Sequence, residues 1–406
     1  MIYLGVDWAE AHHDLWLEDA EGRVLAKRRV SDSLEGVREL HQLVGDHVNV
    51  EEGPEQVVVG IEKDRGLLVQ SLVAAGYLVY ALNPLSVARY RERHVTSGAK
   101  SDPGDARVLA DLVRTDRDHH RTIAGDSDAA RAVQVLARAH HAAIWSERRE
   151  ANALRNALKD FYPGALAALP DLTHSDASAV LAAAPTPGQG ARLTLAQLTS
   201  ALARGGRRRN IERRAKEIQA ALRAPQLHLP GELELAYGAR VSAHVAVLDA
   251  YRHQIETLES TLAERFSQHP DAVILHSLPG LGNVLGARVL GEFGDDPTRY
   301  ADARSRKNYA GTAPITRASG LSHVVLARHV RNDHLGDALD RWAFCALTCS
   351  PGARRYYDEL RARKKTHSQA LRQLANRLVG ILHTCLERRE AYDETIAWKH
   401  RLELTA

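Results

Sequence analysis

The chain has 406 residues, 44% hydrophobic and 26% charged, with a formal net charge of +3, enough polypeptide for two or three ordinary globular domains. Its three cysteines, Cys345, Cys349 and Cys385, are too few for a disulfide scaffold, and nothing resembles a signal peptide or an uninterrupted membrane span, so a reducing cytoplasm is the expected location. The small net charge conceals local basic runs, Arg204 to Arg214 and Arg361 to Lys365, which point to a polyanionic partner.

Ile2 to Val6 reads as a strand running into Asp7. Asp14 to Glu18 and Val24 to Val30 follow as short strands around the turn signal Asp19-Ala-Glu-Gly22. A helical stretch from Leu34 to Val44 leads to Gln56 to Ile61, whose continuous apolar run suits a buried parallel strand, and Glu62 follows at once. Leu67 to Ala75 reads as a helix, Tyr77 to Leu82 as a strand, and Asn83-Pro84 as the cap of a helix carrying Arg89, Arg91 and Arg93.

Three strands, then helix, strand, helix, strand, helix, is the element order of an RNase H-like fold. The first strand and the strand after the first helix are then neighbours, and Asp7 and Glu62 can meet at adjacent strand ends. Ser101-Asp102-Pro103 starts a further helix with proline in its first turn, and Asp102 and Asp105 can face one side of it. Carboxylates gathered from distant parts of a chain repel one another unless a cation lies between them. The set Asp7, Glu62, Asp102 and Asp105 therefore predicts a Mg2+ or Mn2+ site for phosphoryl transfer on nucleic acid. Singly, Asp102 reads as an N-cap, Asp105 as a first-turn acid and Glu62 as a surface residue.

The middle of the chain is mostly helical. Val133, Ala137, His140, Ile144, Glu147, Ala151, Leu154, Leu158 and Phe161 form one seam with coiled-coil spacing; Val241, His244, Leu248, Tyr251, Ile255, Leu258 and Leu262 form a second. Such helices can pair within one chain or between protomers. The prolines and glycines of Pro163 to Gly190 suggest a loop or subdomain junction. The densest basic stretch follows, with Arg207, Arg208, Arg209, Arg213 and Arg214 outnumbering the acids of the local sequence, which favours phosphate contact with DNA or RNA.

Towards the C-terminus, Leu278-Pro-Gly280-Leu-Gly282 looks like a helix-hairpin-helix turn that offers backbone N–H groups to a phosphate; a tight interhelical turn is the equal alternative. Ser319 and its neighbour Ser322 lie in or near the short loop Thr316-Arg-Ala-Ser-Gly320, where serine beside glycine is ordinarily a turn residue. Cys345 and Cys349, one helical turn apart, read as small buried residues of an apolar helix face; no finger-like Cys/His spacing supports zinc.

Gly5-Val-Asp7-Trp-Ala9, Gly60-Ile-Glu62 and Lys100-Ser-Asp102-Pro-Gly-Asp105-Ala106 resemble the aspartate, glutamate, aspartate, aspartate signature of the IS110-family transposases. Leu278-Pro-Gly-Leu-Gly282, Tyr309-Ala-Gly-Thr-Ala-Pro314, Ala318-Ser-Gly320 and Leu371-Arg-Gln-Leu-Ala-Asn376-Arg377 resemble that family's second conserved domain. The resemblance implies an α/β plus all-α chain: a RuvC-like, RNase H-like domain over 1–125, a helical coiled-coil and basic region over 126–270, and a mainly helical transposase domain with the helix-hairpin-helix-like segment over 271–406. It further implies Mg2+ at the four acids and Ser319 as the nucleophile, forming a covalent phosphoserine link to DNA. Arg317, Arg328 and Arg331 become candidate phosphate clamps. Donor and target DNA, an element-encoded guide RNA and a homo-oligomer, dimer or tetramer, are the implied partners, with no membrane and with nucleoid association when DNA is bound. The sequence departs from the family around Ala327 to Gly336, where Asp333 dilutes the basic run, and at Arg363-Lys-Lys-Thr-His367, which lacks a glycine before the histidine.

Other classes remain open on the residues alone. An RNase H-like nuclease or junction resolvase would use the same acids with water as nucleophile. A sugar-kinase-like ATPase also starts with a Gly-x-Asp strand, but needs a second phosphate loop that the chain lacks. A non-enzymatic nucleic-acid-binding protein is the third reading.

Overall fold

The computed structural model describes residues 1–48, 53–94, 102–123, 125–319, 322–328 and 331–402, apart from the side chains of 94, 102, 121, 317, 322 and 400–402. The chain divides into two compact units, Met1–Gly125 and Asp126–Ala406.

The first unit is a mixed sheet covered on both faces. Its strands are β1 (Ile2–Trp8), β2 (His12–Glu18), β3 (Val24–Ser31), β4 (Val57–Ile61), β5 (Leu78–Ala81) and the short β6 (Arg121–Thr122), in the order β3-β2-β1-β4-β5-β6. β1 and β4 lie side by side and parallel, as the element order predicts, and β4 and β5 continue the parallel core. The first three strands form an antiparallel meander. β6 closes the other edge antiparallel to β5, a strand too short to read from the sequence. Every residue of β4 is buried, as a strand covered on both faces requires.

Strand alternation assigns the faces. Leu4, Val6, Val57, Val59 and Ile61 pack against Leu40, Leu43 and Val44 of α1 (Leu34–Gly45) and Leu68 and Leu72 of α2 (Leu67–Ala74). On the opposite face Tyr3 and Val58 meet Val87 of α3 (Pro84–His94) and Val108, Leu109, Leu112 and Val113 of α4 (Asp102–Thr115). Gly5, Asp7, Gly60 and Glu62 share this second face by parity. A polar clamp ties α4 to β2: Arg114 Nε donates to Glu18 Oε1 at 2.9 Å, and Trp16 Nε1 to Glu18 Oε2 at 3.0 Å. Burial pushes the Glu18 carboxyl above its usual range, and these two donors oppose that rise.

The second unit is helical apart from one hairpin. The long helices α5 (Asp128–Phe161) and α11 (Gly231–Ser267) carry the two predicted seams. Val133 and Ala137 at the start of α5 share a core with Leu262 and Phe266 at the end of α11. Leu154 and Leu158 at the end of α5 share another with Val241, Val245 and Leu248 at the start of α11. The helices therefore run antiparallel within one chain, and His244 Nδ1 meets Glu150 Oε1 at 2.6 Å as a polar layer between the cores.

Between them lie α6 (Pro163–Ala168), α7 (Ser175–Ala183), α8 (Pro187–Arg192), α9 (Leu195–Arg204) and α10 (Ile211–Arg223). The span Pro163 to Gly190, expected to include a loop or subdomain junction, holds short helices joined by brief non-helical connections. Pro163 and Pro187 occupy first-turn positions, and Thr186 with Gln189 forms a capping box, so the prolines start helices rather than interrupt them.

The remaining elements are α12 (Ala272–Ser277), α13 (Asn283–Phe293), α14 (Ala303–Tyr309), the hairpin β7 (Ile315–Ser319) and β8 (Ser322–Leu326), α15 (Asp333–Cys349), α16 (Pro351–Ala362), α17 (His367–Arg388) and α18 (Glu394–Leu402). Buried Glu292 on α13 accepts from Arg138 Nε and Nη2 at 2.7 and 2.8 Å and from Asn332 Nδ2 at 2.6 Å. Burial alone would raise its pKa, but these donors hold the carboxyl below the usual range. No helix among the described residues is long and apolar enough to cross a membrane.

Candidate functional site

Two glycines set the distance between α4 and the sheet. Gly5 and Gly60 are partners in the parallel β1–β4 register, each two residues before an acid and on the same face as it. A Cβ on Gly5 would stand 1.8 Å from the Ala106 carbonyl oxygen, and one on Gly60 would stand 2.5 Å from that of Leu109. The helix rests directly on strand backbone, and Ala106 and Ala110, both fully buried, continue that close approach. Asp105 precedes Ala106, so the contact that seats the helix also carries its carboxylate to the strand ends.

Asp7, Glu62 and Asp105 consequently line one pocket of 500 Å3, together with His12, Asp14 and Arg91. Asp102 begins α4, and its side chain lies outside the described residues. His12, Asp14 and Arg91 were not singled out from the sequence as site residues. The signal for Asp14 is the β1–β2 hairpin register, which places it directly opposite Asp7, where paired residues share a face.

The charges in the pocket are partly compensated by the protein itself. Asp14 is buried and accepts from its cross-strand neighbour Arg29 at 3.1 Å through Nε and 2.7 Å through Nη2. Arg91 Nη2 lies 2.6 Å from Asp105 Oδ1, while Arg91 Nε is buried with no hydrogen-bond partner among the described residues. The donors are carboxylate oxygens, the chemistry of a Mg2+ or Mn2+ site. Among the described residues, no group of three or more His, Cys, Asp and Glu is arranged to hold an ion. A cation here would compete with Arg91 for Asp105.

In the second unit, Ser319 is the last residue of β7 rather than part of a loop, and it is exposed. β-Branched Ile315, Thr316, Val324 and Val325 favour paired strands, and Ser319 pairs with Ser322. Only Gly320 and Leu321 separate the two serines, and these lie outside the described residues. The hairpin presents the candidate nucleophile at its tip. The Arg317 side chain is also outside the described residues. Arg331 packs against Gly311 and Gly336 and faces Asp340 at 3.7 Å. Arg328 lines a separate pocket at the foot of the hairpin.

The turn between α12 and α13 is built as expected for two helices in close succession. Gly280 has φ +83° and abuts the backbone of Cys345 and Ala346, which excludes a side chain; Gly282 is the N-cap of α13. Cys345 is half-buried and Cys349 exposed, against the expectation that both are buried; both line a pocket beside this turn.

The basic stretch is not isolated from acids in three dimensions. Arg207 Nη2 lies 2.6 Å and Arg214 Nε 3.8 Å from buried Asp176, and Arg214 and Arg213 also face Glu217 at 3.3 and 3.7 Å. Asp176 comes from α7, far upstream, so the pairing is invisible in the local sequence. Arg207, between α9 and α10, and Arg214 on α10 both pair with Asp176 on α7, whereas Arg208 and Arg209 are exposed.

Comparison with known proteins places both units. Residues 4–163 match the DEDD transposase model of IS110, described as "Transposase", and residues 272–358 match the model described as "Transposase IS116/IS110/IS902 family". The chain is 43% identical over 409 residues to the "Mini-circle putative transposase for IS117" of Streptomyces coelicolor, covering 100% of this chain and 98% of that protein. It is 30% identical to a 44.8 kDa protein of insertion element IS116 from Streptomyces clavuligerus, over 95% of this chain and 94% of the relative. It is 29% identical to a 42 kDa protein of insertion element IS900 from Mycobacterium paratuberculosis, over 96% and 97%. The chain therefore belongs to the IS110 family of transposases.

Proposed function

We propose that this protein is a DNA recombinase of the serine type, cutting and rejoining strands for insertion and excision of a mobile element. The observation that carries the reading is the glycine-seated α4, which delivers Asp105 to a pocket shared with Asp7 and Glu62. The strand order β3-β2-β1-β4-β5, with β1 and β4 parallel, supports an RNase H-like, RuvC-like domain.

On this reading Asp7, Glu62, Asp102 and Asp105 hold Mg2+, with Mn2+ as the substitute. A divalent ion held there supplies Lewis-acid polarisation of the phosphate and charge stabilisation at the leaving oxygen. Ser319 Oγ attacks the phosphorus and loses its proton; the bond from phosphorus to the leaving strand's oxygen breaks, and that oxygen is protonated. The phosphoserine link keeps the bond energy, so the hydroxyl of another strand can reverse the step and join to the phosphate. A hydroxyl needs activation to act as a nucleophile, and the exposed hairpin tip leaves it accessible to a phosphate prepared by the acids. An element-encoded RNA directs the protein to donor and target DNA, and exchange of two duplexes requires a homo-oligomer, dimer or tetramer.

Purified protein incubated with the element's flanking DNA, its transcript and Mg2+ is expected to yield joined strands, and no joined product once EDTA removes the metal. Free ends without joined product would instead favour a hydrolytic nuclease or resolvase.

A further inference from the structure

We propose that a cationic pocket at the foot of the β7–β8 hairpin binds a backbone phosphate of the DNA strand whose scissile phosphate reaches Ser319. The inference rests on the DNA reading above and adds a site to it.

The pocket has a volume of 470 Å3, and its lining includes Arg328, Lys365, Gln369, Arg372, Gln373 and Asn376 but no Asp or Glu. The three cations have no lining carboxylate, whereas half-buried arginines elsewhere in the chain, Arg91, Arg138, Arg207 and Arg214, face acids. The Nε atoms of Arg328 and Arg372 are both buried, and neither has a hydrogen-bond partner among the described residues. Two desolvated guanidinium donors left unsatisfied are costly, and a ligand rich in acceptors removes that cost.

Two of the amides lining the pocket are oriented as donors too. Asn376 Oδ1 accepts from Thr312 Oγ1 at 3.2 Å, and Gln369 Oε1 accepts from the Thr366 N–H at 3.1 Å. Each leaves its NH2 group to donate. A site with donors and positive charge but no anionic acceptor fits phosphate oxygens.

Position selects the strand. The hairpin register runs from Ile315 opposite Leu326 at the foot to Ser319 opposite Ser322 at the tip. Four strand residues span roughly 13 Å, about four nucleotides of one strand of duplex DNA. A phosphate held at the foot would fix the strand's register a few nucleotides from the one attacked, making Arg328, Lys365 and Arg372 positioning residues.

The test uses the full-length protein and two probes. Binding of flanking duplex DNA, and separately of the transcript, is measured against salt for wild type, an R328Q/R372Q double variant and R372K. The thermal midpoint is followed with inorganic phosphate. Loss of one phosphate contact is expected to lower the DNA salt slope by about one, while R372K retains it. Phosphate is expected to raise the midpoint of wild type and not of the double variant. DNA binding with an unchanged slope in the double variant overturns the pocket and leaves the proposed function standing. A slope change confined to the transcript overturns the assignment to DNA. Phosphate stabilisation that depends on the arginines in a protein that binds no DNA overturns the DNA assignment together with the function on which it rests.

Discussion

Asp7→Asn is expected to lower Mg2+-dependent strand joining by roughly 100- to 1,000-fold, the cost of removing one stabiliser of a charged transition state, while leaving DNA affinity close to wild type. The substitution keeps the side-chain volume but removes the negative charge, and it weakens repulsion with Asp14 across the β1–β2 ladder. Folding stability should therefore stay within about 1 kcal/mol of wild type, the range of a single cross-strand pair. Asp14 itself is paired with Arg29, so Asp14→Asn should cost stability by weakening that ion pair. Joining assays and denaturant unfolding of the same preparations separate the two effects. An Asp7→Asn protein that joins strands normally would remove Asp7 from the proposed metal site.

Gly5→Val is expected to disable the site by a different route. Even a Cβ at this position falls 1.8 Å from the Ala106 oxygen, and 2.6 Å from the Ala110 nitrogen, so both clashes are with helix backbone and no rotamer change relieves them. Overpacking of this kind costs typically about 1–3 kcal/mol or more, and the relief available is to push α4 off the sheet. That motion carries Asp105 away from Asp7 and Glu62. Gly60→Val should behave alike, because its Cβ meets the Leu109 oxygen at 2.5 Å. A Cβ on Gly45, at the end of α1, would have nothing within 4 Å; Gly45→Ala should be neutral or stabilising by up to about 1 kcal/mol. Urea midpoints and joining rates for the three variants test the seat: Gly5→Val protein of normal stability and activity would show that α4 does not need it.

Much of the first unit was legible because strand patterns there are local. The continuous apolar run of β4 announced a buried parallel strand, and an acid directly after a buried strand is conspicuous. The glycines were visible as part of the motif, yet their role depends on α4 crossing two strands, which only the packed structure reveals. Asp14 and Arg91 escaped because their relevance comes from register and from a neighbouring helix. In the second unit, proline content was misleading at Pro163 and Pro187, where the ring starts a helix. The basic run is less isolated from acids than its sequence suggests, because Asp176 of α7 meets Arg207 and Arg214 only in the folded chain. Ser319 could be singled out only through the family resemblance, since an exposed serine at a hairpin tip carries no local mark of chemistry.

In the proposed mechanism the acids of the first unit prepare a phosphate that Ser319 attacks. The decisive experiment traps the protein on its flanking DNA with Mg2+ and the transcript, digests the complex, and locates the modified peptide by mass spectrometry. A nucleotide joined to Ser319 is expected in wild type, absent from Ser319→Ala and strongly reduced in Asp7→Asn. An adduct on another residue, or joined DNA formed at the normal rate by Ser319→Ala, would rule out the serine mechanism.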